Sequence, residues 1–236
     1  MNAGAPALQP VAGFEATAFA WRNGALVWAG TRAQTGHPRH ACQPWQPPAL
    51  RVQAPALRAG AHTCLSLLQG LPAKGLLLWL QGQELPFPFK LATARFEAVR
   101  SALQAQNLPA LEAAALRVLG LGPGLTPSGD DFIGGVFFAL AHATPNAWHE
   151  PLAGLKARLL AAAHGATNEI SAHLLADLLN GASYRVLHEL LAALQGNEPA
   201  AIEPAAQALL GLGASSGADL LAGLLLALTT LPIDQT

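Results

Sequence analysis

Two glycine-rich stretches hold the residues best suited to chemistry. Residues 119–140 read LGLGPGLTPSGDDFIGGVFFAL and residues 210–228 read LGLGASSGADLLAGLLLAL. Each opens Leu-Gly-Leu-Gly, reaches Ser-Gly-x-Asp and runs on into apolar residues, so the pair is an internal repeat. Aligned from Ser128 and Ser216, the pairs Gly129/Gly217, Asp131/Asp219, Gly135/Gly223, Ala139/Ala227 and Leu140/Leu228 agree. The first copy places five residues between its second glycine, Gly122, and the serine, and the second copy places two after Gly213. Ser-x-x-Asp ahead of an apolar run predicts a capping box, in which serine serves the N3 amide and Asp reaches back to the N-cap amide. Glycines free the backbone upstream, and a helix N-terminus carries partial positive charge, which together suit a phosphate or carboxylate. The expected substrate-binding residues are therefore Gly122, Gly124, Thr126, Ser128 and Gly129 in the first loop. Ser215, Ser216, Gly217 and Asp219 are their counterparts in the second. The competing reading is that both loops only cap buried helices.

Around these loops stand further candidates. Asp130 and Asp131 are adjacent, so at a helix start they point apart. Asp131 is the capping-box acid, and Asp130 is the freer group for a substrate amide or a Mg2+ ion. Thr167, Asn168 and Ser171 open another helix, with Thr and Asn favoured at its cap, and complete the expected substrate-binding residues. His173 lies one turn beyond Glu169, so a Glu-oriented general base is one reading and a hydrogen-bonded interior histidine the other. Asp130, Asp131 and His173 are the catalytic candidates.

Several chemistries find no support. No H-x-x-x-H, paired C-x-x-C or G-x-S-x-G occurs, so no zinc-hydrolase or serine-hydrolase reading stands and no metal site is assigned. His37 and His40 flank Pro38-Arg39, which reads as a solvated turn rather than a metal pair. Gly124 to Gly129 has P-loop spacing, but Asp130-Asp131 stands where Lys-Ser/Thr belongs. GLGASSGAD faintly resembles the GLGxSS phosphate loop of small-molecule kinases, without companion motifs.

These loops need elements to hold them, and the composition limits which. The chain has 236 residues, 52% apolar, 11% charged, with a formal charge of −1. So little charge with so much apolar content excludes a disordered chain, and the near-zero net charge excludes a general nucleic-acid footprint. Phe132 to Ala141 and Leu220 to Leu228 are the longest apolar runs, too short to span a bilayer, and read as buried helices. Without a basic, apolar N-terminal leader, the reading is cytoplasmic; Cys42 and Cys64 read as reduced thiols. Surplus apolar surface points to a homo-oligomer or to partner subunits, with no membrane and no nucleic acid.

The chain changes character near residue 90. Residues 1–90 hold seven basic residues against two acidic, and the remainder six against twelve. Extended runs at Phe14–Trp21, Ala25–Ala29, Leu50–Gln53 and Leu76–Leu80, punctuated by prolines, predict a mostly β domain over 1–90. From Leu91 the period becomes helical, predicting about seven helices over 91–236 with prolines at their starts. The fold class expected is α+β: an N-terminal β domain, then a helical bundle carrying both loops.

The string GLGPGLTPSGDDF resembles the signature of the domain-of-unknown-function 2877 family (DUF2877), whose functionally assigned members are subunits of oxamate carbamoyltransferase. Residues 166–175 (ATNEISAHLL) and 213–223 (GASSGADLLAG) fit the same resemblance, which covers roughly residues 115–230. Ala214 stands where a His or Gly is expected before the Ser-Ser-Gly triplet, so no histidine role carries over there. The resemblance implies carbamoyl transfer between oxalurate and phosphate, within a multi-subunit assembly of allantoin catabolism. Preorganised N–H groups at Gly122–Gly129 and Ser216-Gly217 would stabilise the charge that gathers on a carbamoyl oxygen. The expected function is an enzyme or enzyme subunit binding a small anionic substrate. The alternatives are a non-catalytic structural subunit and, less favoured, a small-molecule kinase.

Overall fold

A computed structural model describes residues 17–22, 25–30, 52–144 and 148–231, and the chain divides into two units between Pro48 and Ala49. In the first unit, β1 (Thr17–Arg22) and β2 (Ala25–Gly30) pair antiparallel, from Thr17 opposite Gly30 to Arg22 opposite Ala25. They coincide with two of the expected extended runs. One two-stranded hairpin is nonetheless not a β domain, because it has too little sheet to bury a core.

Among its described residues the second unit holds helices and no strand, which overturns the α+β class and the β domain over residues 1–90. Residues 54–68, placed inside the expected β domain, form α1 (Ala54–Leu68), and the run Leu76–Leu80, expected to be extended, forms α2 (Leu77–Leu80). The physical reason is plain in both. Leu57, Ala61, Cys64 and Leu68 recur at helical spacing and make the buried stripe of α1. Leu76–Leu80 is apolar at every position, so it has no period to distinguish a strand from a buried helix. His37, His40, Cys42, the prolines at 44, 47 and 48, Leu50 and Pro145 lie outside the described residues.

After a 3₁₀ turn at Phe89–Ala92 come α3 (Thr93–Gln104), α4 (Leu108–Leu116) and α5 (Ser128–Ala143). Then follow α6 (His149–Ala166), α7 (Glu169–Leu179), α8 (Arg185–Gly196), α9 (Pro199–Leu210) and α10 (Ser216–Thr230). Eight described helices thus follow residue 91 where about seven were expected. Pro109, Pro151 and Pro199 do sit in first turns, but Pro204 falls inside α9.

The two repeat helices, α5 and α10, form the centre and are the most deeply buried elements. Around them, α1 packs on α8, α9 and α10, α2 and α3 pack on α10, and α7 packs on α5. Their crossing is reciprocal. A methyl on Gly135 would overlap the Leu220 carbonyl, and a methyl on Gly223 would overlap the Phe132 carbonyl. Phe132 and Leu220 are themselves aligned positions of the repeat, so the two helices touch through equivalent surfaces, as about a local two-fold axis. Backbones this close exclude side chains larger than hydrogen at the contact. The start of α5 is further wedged by Phe132, whose ring meets Phe96 (5.3 Å) and Trp79 (5.8 Å) edge-on.

Candidate functional site

The repeat is preserved in the backbone that leads into each helix. Gly129 donates its N–H to the Leu121 carbonyl (2.8 Å), and Gly217 donates to the equivalent Leu212 carbonyl (3.0 Å). The N-cap of α5 is Pro127, which has no side-chain acceptor, and Ser215 at the N-cap of α10 makes no capping bond. Neither expected capping box forms. What forms instead is an exchange between helices. Asp131 of α5 is hydrogen bonded by Ser216 of α10 and by Thr126, while Asp219 of α10 is hydrogen bonded by Ser128 of α5 and by Ser215. Thr126 Oγ1 lies 2.8 Å from Ser216 Oγ, which ties the first loop to the second helix.

Asp219 also accepts the Leu76 N–H at 2.6 Å. That approach depends on Gly75, whose φ of +54° is left-handed and whose absent Cβ would overlap Asp219 Oδ1. The segment before α2, read from sequence as a strand, is therefore part of the site. Lys74 and Tyr184 join it by charge: Lys74 favours the ionised form of Asp219, and Asp131 in turn helps hold the Tyr184 phenol above its ordinary value, after burial. No local signal marks Lys74, Gly75 or Tyr184 in the sequence, because only folding brings them to Asp131 and Asp219.

Both carboxyls are buried, at 5% and 0% exposure. Burial pushes Asp131 up to about 7, with the charge of Asp219 adding to it. Burial raises Asp219 as well, against the pull of its donors. One oxygen of each, Asp131 Oδ2 and Asp219 Oδ2, has no hydrogen-bond partner.

Asp130 has a different setting from the one expected. Its Oδ1 accepts the Gly120 N–H (2.7 Å), and its Oδ2 accepts the hydroxyls of Ser171 (2.7 Å) and Thr167. These three donors make it a tether that ties the start of α5 to the turn after α4 and to the α6–α7 junction. It serves as a structural carboxylate, with three donors already on its two oxygens. Among the described residues no cluster of three His, Cys, Asp or Glu side chains is arranged to hold a metal ion. Asn168 caps α7 as expected, accepting the Ser171 N–H (3.0 Å), and also donates to the Leu125 carbonyl (3.0 Å). His173 is exposed, with Nδ1 2.6 Å from the backbone carbonyl of Glu169 rather than its carboxylate. The interior histidines are others: His142 and His188 pack edge-on around Phe138, and burial lowers both.

The sequence-derived set thus separates into two clusters. Thr126, Ser128, Asp131, Ser215, Ser216 and Asp219 meet at the crossing, and Asp130, Thr167 and Ser171 meet beside it. Gly124 sits at the exposed apex of the first loop, Gly122 packs beside Ser128, and the amides of Gly129 and Gly217 are spent on the loop carbonyls. A cavity of about 370 Å³ lies elsewhere, at the far end of α5, lined by Leu140, Thr144, Leu152, Lys156 and Asn180 among others. Cys64 is a buried free thiol pushed up to about 12 by burial, which leaves it unreactive.

Residues 118–228 match the family described as Oxamate carbamoyltransferase subunit AllH. The matched span contains both loops, both crossed helices and the Thr167–His173 segment, and it agrees with the resemblance read from GLGPGLTPSGDDF. No curated protein and no solved structure matches the chain. No helix among the described residues is long and apolar enough to cross a membrane.

Proposed function

We propose that the chain is a carbamoyltransferase-related subunit whose two loops hold a small anionic substrate where α5 and α10 begin. The observation that carries this reading is the convergence of the two repeat units, joined by Thr126 and Ser216 at 2.8 Å, inside the span that matches the family. One helix N-terminus is a weak anion site; two brought together add their partial positive charges. The hydroxyls of Thr126, Ser128, Ser215 and Ser216 supply donors for carboxylate or phosphate oxygens, and Lys74 supplies a cation nearby. In this reading the protein works in the cytoplasm with partner subunits, and its substrates are of the oxamate, oxalurate or carbamoyl phosphate type. The test is thermal unfolding with phosphate, oxamate and carbamoyl phosphate. A rise in Tm that is lost in Ser128→Ala/Ser216→Ala supports it; no shift with any of the three refutes it.

A second reading has its own observation. The hydroxyls that would serve a ligand already serve Asp131 and Asp219, which is what a purely structural subunit needs. Under that reading the same double variant loses stability and changes nothing in the activity of the assembled enzyme.

A further inference from the structure

We infer that the cleft between α6 and the end of α5 binds a small monocarboxylate with an apolar body, its carboxylate paired with Lys156. The inference goes beyond the proposed function and does not depend on it, because the cleft lies at the opposite end of α5 from the two loops.

The cleft follows from the face that α6 turns towards it. Leu152 and Lys156 are four residues apart, and Ala153 and Ala157 repeat that spacing one position on, so the four share one side of the helix. Across from them stand Leu140, near the end of α5, and Leu179, the last residue of α7. Both leucines are buried, whereas Ala153 and Ala157 are exposed. Alanine methyls are too short to close the space, and a cavity of about 370 Å³ remains. That is the small end of the range for ligand pockets, so it suits a small molecule rather than a long chain.

The walls are mostly apolar, and Lys156 is the exception that fixes the ligand's chemistry. Its side chain is half-buried in the cleft, no carboxylate lines the cleft, and no residue between Asp131 and Glu150 is acidic. Among the described residues the ion pairs belong to other side chains, and none involves Lys156. Burial lowers its ammonium below the ordinary lysine value, and its charge adds to the burial that lowers His142 on α5. The other polar groups on the walls are engaged or peripheral. The Thr144 hydroxyl donates to the Leu140 carbonyl, the Asn180 amide donates to the Ala176 carbonyl, and His149 is exposed. An ammonium partly withdrawn from water gains from a carboxylate, through a charge-assisted hydrogen bond. The leucine and alanine walls gain from an apolar body. An inorganic anion satisfies only the first and an alcohol only the second; a single lysine calls for a single carboxylate.

Calorimetric titration of the full chain with butanoate, hexanoate and octanoate tests this. Affinity should rise along the series, by up to roughly fourfold for each methylene buried. Octanol should bind at least tenfold more weakly than octanoate, and inorganic phosphate should not displace octanoate. Lys156→Met, which keeps the apolar stem, should weaken octanoate at least tenfold, and Lys156→Arg should stay within a few-fold of the wild type. Ala157→Trp, which fills the cleft from an exposed position, should abolish binding. Octanol equal to octanoate, displacement by phosphate, or octanoate affinity unchanged in Lys156→Met would each overturn the inference. Absence of binding by all three acids would overturn it too, and an oligomer dissociated by Ala157→Trp would then assign the cleft to a second copy of the chain. The wild-type series with octanol and phosphate decides the matter if a variant does not fold.

Discussion

Replacing Asp131 by Asn should make the variant progressively more stable than wild type as pH rises. A carboxyl that holds its proton more tightly folded than unfolded contributes fully below its unfolded value, here 3.8, and that contribution is withdrawn as pH climbs through about 7. The interval spans roughly three pH units at about 1.4 kcal/mol each, so ionising Asp131 in the folded chain costs about 4 kcal/mol. Asp131→Asn keeps the shape and an acceptor for Ser216 and Thr126, and never ionises. The two proteins should have similar stability near pH 4.5, and the variant should be ahead by several kcal/mol near pH 8. Urea unfolding at intervals between these limits, with midpoints converted through the common m value, gives the difference directly. Taking the difference cancels the titration of the buried histidines, which both proteins share. A difference that does not change with pH would refute the reasoning. So would a wild type that gains on the variant as pH rises, since Asp131 would then be an ordinary stabilising carboxylate.

Three further expectations follow from the same geometry. Gly135→Ala and Gly223→Ala should each cost about 1–3 kcal/mol or more by overpacking the α5–α10 contact. Gly165→Ala, which meets open space on α6, should instead gain a few tenths to about 1 kcal/mol by helix propensity; chemical denaturation measures all three. Asp130→Ala should lose about 1.5–3 kcal/mol of charge-assisted hydrogen bonding and speed exchange of the Gly120 amide in hydrogen-exchange NMR. His142 and His188 are neutral when folded and held below the ordinary imidazole value, so stability is complete above pH 6.5 and falls as pH drops below it. His188→Phe, which keeps a ring against Phe138, should make that acid-side loss smaller in thermal melts across the range.

The sequence by itself determined the parts that depend on local pattern. The Leu-Gly-Leu-Gly…Ser-Gly-x-Asp repeat marked two equivalent loop–helix units, and the apolar runs after them are indeed the most deeply buried helices. Asn168 as a cap and Pro109, Pro151 and Pro199 in first turns were legible for the same reason, because a helix end is decided by neighbours in the chain. The span matched to a known family, residues 118–228, contains that same string.

What tertiary structure alone decided is which partner each group meets. Ser128 and Asp131 have the spacing of a capping box, but the glycine contact brings a second Ser-x-x-Asp within reach, and the hydroxyls cross to the opposite helix. Asp130 looked free because its donors come from Gly120, Thr167 and Ser171, two of them on a segment about forty residues away. Leu76–Leu80 looked like a strand because an all-apolar run has no period, and only its burial against α10 makes it a helix end that feeds Asp219. Local propensity sets what a segment can be. The energy of burying a polar or apolar group depends on neighbours distant in sequence, and those belong to the fold.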